Sequence, residues 1–336
     1  MSDVKYSVCV LTVTYGDRWK FLEQVLRRVV DFSEISSVIV IDNASVYNVA
    51  EKIKDVGSDK IAVITNKENK GSAGGYKIAL EHAFNNTAAD LFLLLDDDNV
   101  PEENVFPEML DQWSDIKSPD NKKALFCFRN DRPQHVMIAK GEDASRFYLV
   151  QNNFLGFNIF NIFNNQFYKL RDKFRKKKPF KERAKMPYVP YGGLLLHRSI
   201  INDIGYPDER FFLYVDDSEY THRITQSGAT IWLIPSCKIV DVDKSQGLGY
   251  KKVFLHSQLL DQWNFRTYYH VRNRIYFYSE CFTGNKLIFK INKALYLAYL
   301  RLISLASNKS AAYKKLVVAV NDGLTGNMNE ADNSKF

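Results

Sequence analysis

The chain has 336 residues, of which 46% are apolar and 25% charged, and this composition excludes a disordered or fibrous protein. At about 150 residues per domain, the length predicts two domains or one large domain with an appendage. Residues 1–168 are acidic, with 24 acidic side chains against 18 basic ones, although the whole chain has a net charge of +7. The positive charge is concentrated in residues 169–185 and 250–320, which predicts an anionic partner for the later part of the chain.

The start of the chain and its longest apolar stretch indicate where in the cell the protein is expected. Residues 1–16 lack a charged segment followed by a long apolar run, so no signal peptide is predicted. The apolar stretch at 294–306 is interrupted by Arg301 and is shorter than a membrane span. The four cysteines form no CxxC pair, which argues against a zinc site. We therefore expect a cytoplasmic protein.

Strands and helices alternate over the first hundred residues. Apolar runs predict strands at 6–13, 37–41, 61–65 and 91–95. Helical spacing and helix-start residues predict helices at 17–32, at 72–85 and from Pro101 to Trp113. This alternation predicts a parallel, doubly wound sheet, and ligands of such sheets bind at the carboxyl ends of the strands.

Residues 150–185 are predicted to be a basic amphipathic insert. Apolar residues recur every three to four positions from Phe154 to Phe174, and the RKKK run at 175–178 follows. The pattern is typical of a helix on a membrane surface, or of a core helix with a solvated basic end.

The rest of the chain returns to a mixed pattern and then becomes helical. Strands are predicted at 188–197 and 230–235, and helices at 200–204 and 217–226. Residues 251–325 are predicted to be a basic helical region, and the polar tail 326–336 is expected to be loose.

Four polar motifs follow predicted strands of the first half. They are TYGDR at 14–18, DNAS at 42–45, NKGSAGG at 69–75 and DDDN at 96–99. Because the carboxyl ends of parallel strands share one edge of a sheet, we expect the motifs to lie close together. Each motif alone also fits a turn, and the three aspartates fit a capping cluster before Pro101.

The residue types in these motifs indicate a nucleotide site. A strand-end carboxylate can accept hydrogen bonds from a base or a ribose, and a Gly-rich helix start favours anions. An Asp-x-Asp run supplies two oxygen ligands to a divalent cation, which can neutralise a diphosphate. Three adjacent carboxylates are costly without such a cation.

Over residues 6–115 and 186–275 the motifs resemble family 2 glycosyltransferases of the GT-A fold. The resemblance implies an α/β fold, with a Rossmann-like, nucleotide-binding mixed sheet flanked by helices and a C-terminal helical appendage. It implies a domain at 1–250, made of a nucleotide-sugar half (1–115), the insert (150–185) and an acceptor half (186–250). It also implies a UDP-sugar donor and Mn²⁺ or Mg²⁺ as cofactor.

The resemblance assigns the strand-end motifs to the donor. The nucleotide-sugar-binding residues that it implies are Thr14, Tyr15, Gly16, Arg18, Asp42, Asn43, Asn69, Gly71, Gly74, Asp96 and Asp97. The implied metal ligands are Asp96 and Asp98. The family often has a further His ligand after an Ile-Pro strand, and the matching position here is Asp241, which departs from that pattern.

The second half is assigned to the acceptor. Asp216 and Glu219 fit a capping box, which would leave the Asp217 carboxylate free in the first helical turn. The position of Asp217 is the catalytic base in the family, and the alternative is an Asp favoured by the helix dipole. The implied acceptor-binding residues are Tyr191, Gly192, Gly193, Asp216 and Arg272. The Gly-Gly pair also fits a plain turn, and Arg272 also fits a solvated helix face.

DDDN, NKGSAGG and the later FFLYVDDSEYTHR look most like bacterial galactofuranosyltransferases and next most like rhamnosyltransferases. This implies an inverting, metal-dependent enzyme that moves galactofuranose from UDP-galactofuranose onto a lipid-linked surface glycan of O-antigen type. The alternative donor is dTDP-rhamnose. We expect peripheral association with the inner face of the bacterial cytoplasmic membrane through residues 157–181 and the basic helices after 254, and a possible homo-oligomer.

Two other classes of protein remain as alternatives. A sugar-nucleotide nucleotidyltransferase would share the sheet and an Asp-metal site, but would usually have a GxGxR loop where this chain has TYGDR. A nucleic-acid-binding protein would explain the basic segments. It would not explain the acidic strand-end cluster, which repels phosphates without a metal, so we expect no nucleic acid partner.

Overall fold

The computed structural model describes residues 6–174, 178–243, 250–251 and 253–336, so most of the predicted RKKK run lies outside the described residues. The chain divides into two compact units. Unit 1 comprises residues 1–144, 180–212 and 216–246, and unit 2 comprises residues 145–179, 213–215 and 247–336.

Unit 1 contains one sheet of nine strands in the described part of the chain. They are β1 Val8–Gly16, β2 Ile35–Ser45, β3 Ile61–Asn66, β4 Leu91–Asp96, β5 Asn99–Pro101, β6 Lys123–Phe128, β7 Ala184–Met186, β8 Leu194–His197 and β9 Thr230–Asp241. The strand order is β3-β2-β1-β4-β8-β6-β9-β5, and β7 also pairs with β9. The first four strands of this order are parallel, as predicted. β8 runs antiparallel to both its neighbours, so the sheet as a whole is mixed.

Helices flank this sheet. Those of unit 1 are α1 Trp19–Val30, α2 Val49–Ile53, α3 Gly71–Asn86, α4 Val105–Asp115, α5 Pro133–Ala139, α7 Ile200–Ile204 and α8 Asp216–Gln226. The residues whose spacing predicts α1, among them Leu22, Val25 and Val29, are fully buried in the main apolar core. Short 3-10 helices lie at Lys54–Val56, Asp120–Lys122, Ala144–Arg146, Ile159–Asn161, Glu209–Phe211 and Asn333–Lys335.

One short strand corrects the prediction for Pro101. Pro101 ends β5 instead of opening a helix, and α4 begins four residues later at Val105. β5 pairs antiparallel with the end of β9, with Asn99 opposite Asp241. Proline is tolerated there because β5 is an edge strand, where a missing N–H costs little. The pairing brings the DDDN motif next to the end of β9.

Unit 2 is helical. Its helices are α6 Ile162–Phe174, α9 Gln258–Asp261, α10 Phe265–Cys281, α11 Lys286–Ala306 and α12 Ser310–Thr325. α10 and α12 approach closely at Gly323. A Cβ at that position would lie only 2.5 Å from the Arg272 carbonyl oxygen. Among the described residues, no helix has the length and apolarity that crossing a bilayer requires.

The structure groups two segments differently from the predicted division. Residues 145–179 group with the C-terminal helices, not with residues 1–144, because Phe154 and Phe157 pack against Tyr296 of α11. The tail 326–336 is not loose, because Met328 is buried and Lys335 forms an ion pair with Asp322 at 2.7 Å.

Candidate active site

The loop after β1 is tied to the loop after β4. The hydroxyl of Thr14 donates to Asp97 Oδ2 at 2.8 Å. Arg18, the residue before α1, donates from Nε to Asp97 at 2.8 Å and from Nη2 to Asp98 at 2.6 Å. Its third nitrogen, Nη1, reaches Asp243 at 2.8 Å. The predicted meeting of TYGDR with DDDN at one sheet edge is therefore observed, and much of it consists of contacts within the protein.

Tyr15 and Gly16 form the exposed part of the first loop. The Tyr15 side chain is 36% exposed, and the Arg18 guanidinium lies 5.6 Å from the centroid of its ring. Gly16 has a φ of +60° and an open position for a Cβ, so a left-handed backbone explains this glycine.

DNAS and NKGSAGG hold each other in place. Asn43 donates from Nδ2 to Asn69 Oδ1 at 3.0 Å and to the Gly71 carbonyl at 2.9 Å. Asp42 accepts from the backbone N–H of Ser45, three residues further on, at 2.8 Å, which holds the end of β2 in place. These bonds give the amide side chains a structural role beside the predicted ligand-binding role, which stays a prediction.

The start of α3 is covered by protein, which corrects the expectation of an open anion site there. A Cβ on Gly71 would lie 1.9 Å from the Phe212 carbonyl oxygen, and that oxygen accepts from the Ala73 N–H at 3.2 Å. The Ser72 hydroxyl donates to Asp216 Oδ2 at 2.8 Å. Gly74 lies one turn further along α3, where a Cβ would meet the side chain of Lys70.

The predicted capping box is also corrected. Asp216 is the first residue of α8 rather than the residue before it, and its buried carboxylate bonds across to Ser72. Glu219 pairs with Arg223 at 2.9 Å, four residues later on the same helix. The long-range bond of Asp216 could not be predicted from a local pattern.

Asp217 is half-buried at the start of α8. Its Oδ1 accepts from the Ser218 N–H at 2.6 Å and from the Ser218 hydroxyl at 3.1 Å. The sequence predicted a free carboxylate, whereas the structure shows one that already accepts two hydrogen bonds. Burial raises the pKa of Asp217. Burial also raises the pKa of Asp216, and the charge of Asp217 adds to that effect.

Asp96 lies between Tyr76 and Gly192. The Tyr76 hydroxyl donates to Asp96 Oδ1 at 3.0 Å, and a Cβ on Gly192 would lie 2.5 Å from Asp96 Oδ2. Burial raises the pKa of Asp96 to about 6, and the charges of Asp97 and Asp217 contribute to the increase. Tyr76 is a site residue that the sequence analysis missed, because a buried tyrosine in an amphipathic helix looks like a core residue.

The residues near Asp96 fit a divalent cation. Asn99 Oδ1 is buried without a hydrogen-bond partner in the described structure, and it would lie 2.1 Å from a Cβ on Gly192. Burial raises the pKa of Asp98 to about 6, and the nearby charge of Asp96 contributes. Carboxylate and amide oxygens are the ligands that Mg²⁺ and Mn²⁺ prefer.

The protein alone does not provide a complete cation site within the described residues. No group of three or more His, Cys, Asp or Glu side chains there is arranged to hold an ion. Asp241 accepts from Arg129 Nη2 at 2.7 Å and from the Asp243 N–H at 3.1 Å. Its role as a third ligand stays a prediction.

The turn before β8 forms hydrogen bonds with two strands in the middle of the sheet. Gly193 has a φ of +101°, donates to the Leu94 carbonyl at 2.8 Å and accepts from the Cys127 N–H at 2.9 Å. Tyr191 is buried, and its ring centroid lies 4.1 Å from that of Tyr76. The turn therefore fixes Gly192 against the DDDN motif, and its contact with an acceptor stays a prediction.

In unit 2 the structure corrects the role of Arg272. This residue is fully buried, and its Nη1 donates to the Asn329 carbonyl at 2.8 Å, so it does not face a ligand. Its neighbour Asn273 donates from Nδ2 to the Leu213 and Tyr214 carbonyls, both at 2.9 Å. Tyr214 has a φ of +65°, so Asn273 stabilises a strained turn just before α8 in the chain.

The sequence matches known proteins over most of its length. A family model described as "Glycosyl transferase family 2" matches residues 9–205, more than half of the chain. A curated protein from Shigella flexneri, "dTDP-rhamnosyl transferase RfbF", is 23% identical over 329 residues. That alignment covers 95% of this chain and 96% of the Shigella protein.

Solved structures resemble the fold. The mannosyltransferase PcManGT from Pyrobaculum calidifontis, in complex with GDP-Man and Mn²⁺, has a TM-score of 0.56 at 14% identity, over 96% of this chain and 88% of that one. GalNAc-T7 with UDP, GalNAc and Mn²⁺ has a TM-score of 0.53 at 13% identity, over 97% of this chain and 58% of that one. The chain spans 36% of one S. aureus TarS chain that it also matches. At these identities the likeness concerns the fold, and the predicted mixed α/β sheet with C-terminal helices is confirmed.

Proposed function

The chain belongs to glycosyl transferase family 2 and is a glycosyltransferase with a GT-A fold, and on this premise we propose that it is an inverting enzyme that uses a pyrimidine nucleotide sugar. One observation supports the proposal: a strand-end carboxylate, Asp96, and an α8 carboxylate, Asp217, are near enough in unit 1 to interact electrostatically. Burial raises the pKa of Asp96, and the charge of Asp217 raises it further, so the two groups lie within each other's field. The family match excludes the nucleotidyltransferase alternative.

Asp96 and Asp98 are the proposed cation ligands, with the unpartnered Asn99 Oδ1 beside them. A divalent cation, when bound, neutralises the diphosphate of the donor as it leaves. Two protein carboxylates with substrate phosphates are a usual way to hold Mg²⁺. Two structures of similar fold, the mannosyltransferase and GalNAc-T7, are complexes with Mn²⁺, which supports a divalent metal here.

Asp217 is the proposed general base. Its carboxylate takes the proton of the acceptor hydroxyl while the acceptor oxygen forms a bond to the anomeric carbon. The bond from that carbon to the phosphate oxygen breaks, and its electron pair leaves with the nucleoside diphosphate. One displacement from the opposite face inverts the configuration and requires no second nucleophile. Burial supports this role, because the raised pKa makes the Asp217 carboxylate a better base than an exposed one.

Two donors are candidates, and different observations favour them. UDP-galactofuranose rests on the likeness of the DDDN and FFLYVDDSEYTHR motifs to galactofuranosyltransferases. dTDP-rhamnose rests on the name of the Shigella relative, whose similarity extends over 95% of this chain. Both are pyrimidine nucleoside diphosphate sugars, so the proposed site chemistry is the same for each.

The donor is tested by measuring UDP or dTDP release from a panel of nucleotide sugars with Mn²⁺ and a lipid-linked glycan acceptor. We expect release from one of the two candidates, with an inverted linkage in the product by NMR. Release from a purine nucleotide sugar alone, or retention of configuration, would contradict the proposal. An Asp111→Asn variant, which alters an exposed carboxylate on α4, is the matched control and should retain full activity.

The proposed acceptor is lipid-linked, and the exposed helices of unit 2 support an association with an anionic membrane. On α6, Phe163 is 84% exposed and Phe167 is 63% exposed. On α11, Leu287 and Leu302 are 67% and 68% exposed, and the helix has four basic side chains and no acidic one. Exposed aromatic residues with basic neighbours are typical of helices that lie in a membrane interface.

Flotation with liposomes tests this association. Each basic residue near an anionic leaflet is worth about 1 kcal/mol, so binding should be strong to anionic vesicles and weak to neutral ones. The double variant Phe163→Ser/Phe167→Ser should lose binding. Val46→Ser removes an equally exposed apolar side chain from unit 1 (78% exposed) and should keep it. Equal failure of the unaltered protein to bind both kinds of vesicle would contradict membrane association.

A further inference from the structure

Arg18 contacts three carboxylates through three different nitrogens. The distances are 2.8 Å to Asp97, 2.6 Å to Asp98 and 2.8 Å to Asp243, and the Arg18 side chain is only 12% exposed. From this geometry we propose that Arg18 is a positioning residue whose guanidinium holds Asp98 before the cation binds and competes with the cation for that carboxylate. The inference rests on the proposed role of Asp98 as a cation ligand.

Each oxygen of Asp98 accepts one hydrogen bond. Oδ2 accepts from Arg18 Nη2 at 2.6 Å, and Oδ1 accepts from Asn99 Nδ2 at 2.8 Å. Each oxygen keeps a second lone pair, but a divalent cation at about 2.0–2.1 Å from Asp98 would be repelled by the positive guanidinium on the same carboxylate, so Arg18 and the cation compete for it. Nη2 is the group that a cation replaces most directly, because both carry positive charge and neutralise the same carboxylate.

The rest of Arg18 is fixed, so release of Asp98 leaves the guanidinium in place. The Arg18 carbonyl accepts from the N–H groups of Phe21 and Leu22 at the start of α1, at 3.0 and 3.1 Å. The guanidinium lies over the Phe21 ring, 5.0 Å from its centroid. The bonds to Asp97 and Asp243 remain when Nη2 is released. One N–H donor then becomes available beside the cation, where a diphosphate oxygen can accept it.

This exchange couples the cation to the nucleotide. Without nucleotide, the positive charge of Arg18 would oppose a cation at Asp98, and only protein oxygens would hold that cation. With nucleotide, the negative diphosphate would offset that repulsion, and Arg18 Nη2 would have a phosphate oxygen to which it can donate. Each ligand therefore strengthens the binding of the other, as linkage requires. Arg18 sets the strength of this coupling, because its charge opposes a cation that binds alone.

The test is Mn²⁺ binding followed by electron paramagnetic resonance of free Mn²⁺, with and without UDP. We expect the unaltered protein to bind Mn²⁺ at least about tenfold more tightly with UDP, a coupling of about 1.4 kcal/mol. Arg18→Gln should bind Mn²⁺ without nucleotide about tenfold more tightly than the unaltered protein. Arg18→Lys keeps the charge but loses the three-way geometry, so its affinity should lie between the two. Equal Mn²⁺ affinity of the unaltered protein with and without UDP would overturn the inference, even if neither variant folds.

Melting temperatures provide a second readout. Arg18→Gln should melt at a lower temperature in EDTA and be restored by Mn²⁺ alone, whereas a purely structural arginine would give a loss that Mn²⁺ does not restore. The matched control is Arg27→Gln, which alters an exposed arginine of α1 that pairs with Glu23.

Asp98→Asn separates the two proposals. If it leaves Mn²⁺ binding with UDP unchanged, the proposed metal site is wrong. If it abolishes binding while Arg18→Gln binds no more tightly, only the inference about Arg18 is wrong.

Discussion

Unit 1 has two sets of carboxylates with the same side chain and different partners. The strand-end set, Asp96–Asp98, follows β4, and two of its members pair with Arg18. The helix set, Asp216–Asp217, begins α8 and accepts hydrogen bonds from Ser72 and Ser218. Burial raises the pKa in both sets, but arginine charges oppose the shift only in the first.

The comparison indicates how one residue type is assigned to two tasks. Carboxylates that are paired with guanidinium groups stabilise positive charge at their position, and a metal cation can compete with a guanidinium there. A carboxylate that has only neutral donors gains a proton more readily, which a general base requires. On the proposed roles, the partners of the aspartates, and not the aspartates themselves, distinguish a metal ligand from a general base. The predictions below test this division of roles.

The largest effect should follow from removing the cation. Charge stabilisation by a metal is worth several kcal/mol in a transition state, so EDTA should lower turnover by about 10³-fold or more. Mn²⁺ or Mg²⁺ should restore the rate when it is added back. Full activity in EDTA would show that the strand-end set acts without a metal.

Asp217→Asn should lower kcat by roughly 10²–10⁴-fold, the range for loss of a general base. Binding of UDP and Mn²⁺, measured by calorimetry, should remain near normal because Asp217 is proposed to touch neither. The control is Asp111→Asn on α4. If Asp217→Asn kept normal turnover, or lost UDP binding as well, Asp217 would not be the base.

The pH dependence of kcat should separate the two members of the helix set. A base works only when deprotonated, so activity falls as the pH falls through its pKa, and burial places that fall above the ordinary value of 3.8. Asp216 and Asp217 repel each other and titrate as a pair. Asp216→Asn removes one charge, so the acidic limb should move to lower pH. An acidic limb that stays in place would mean that the pair is not coupled during turnover.

The smallest expected effect concerns the bond between α3 and α8. Ser72→Ala removes the hydroxyl that donates to buried Asp216, and should lower the free energy of unfolding by about 1 kcal/mol. Chemical denaturation measures the change. Ser114→Ala, on the exposed face of α4, is the control and should have little effect. An equal effect of both substitutions would mean that the Ser72 bond contributes nothing specific.

Much of the first half of the fold could be predicted from local patterns. β1 to β4 and helices α1 and α3 were predicted within a few residues, because apolar periodicity and helix-start residues act over short distances. Pro101 was misassigned because its strand exists only through pairing with β9. The tail was misassigned because the ion pair of Lys335 with Asp322 depends on distant helices.

The residue types of the candidate site could be predicted from the sequence, but several of the contacts between its residues could not. The strand-end position of Asp96 and Asp98 followed from the sequence, because chain direction decides which end of a strand a loop occupies. Tyr76 was missed, since its hydroxyl reaches Asp96 from α3, the helix that precedes β4 in the chain. On α10 the sequence pointed to Arg272, whereas Asn273 supports the turn before α8.

By itself, the sequence determined where the strand-end motifs lie, and which side chains can bind a diphosphate or a cation. Both follow from residue type and local periodicity. Only the tertiary structure decided which charge meets which. Arg18 and Asp243 are 225 residues apart in the chain, and they meet because sheet pairing carries the end of β9 back to the DDDN motif. Partners at that separation depend on strand order, which no local pattern specifies.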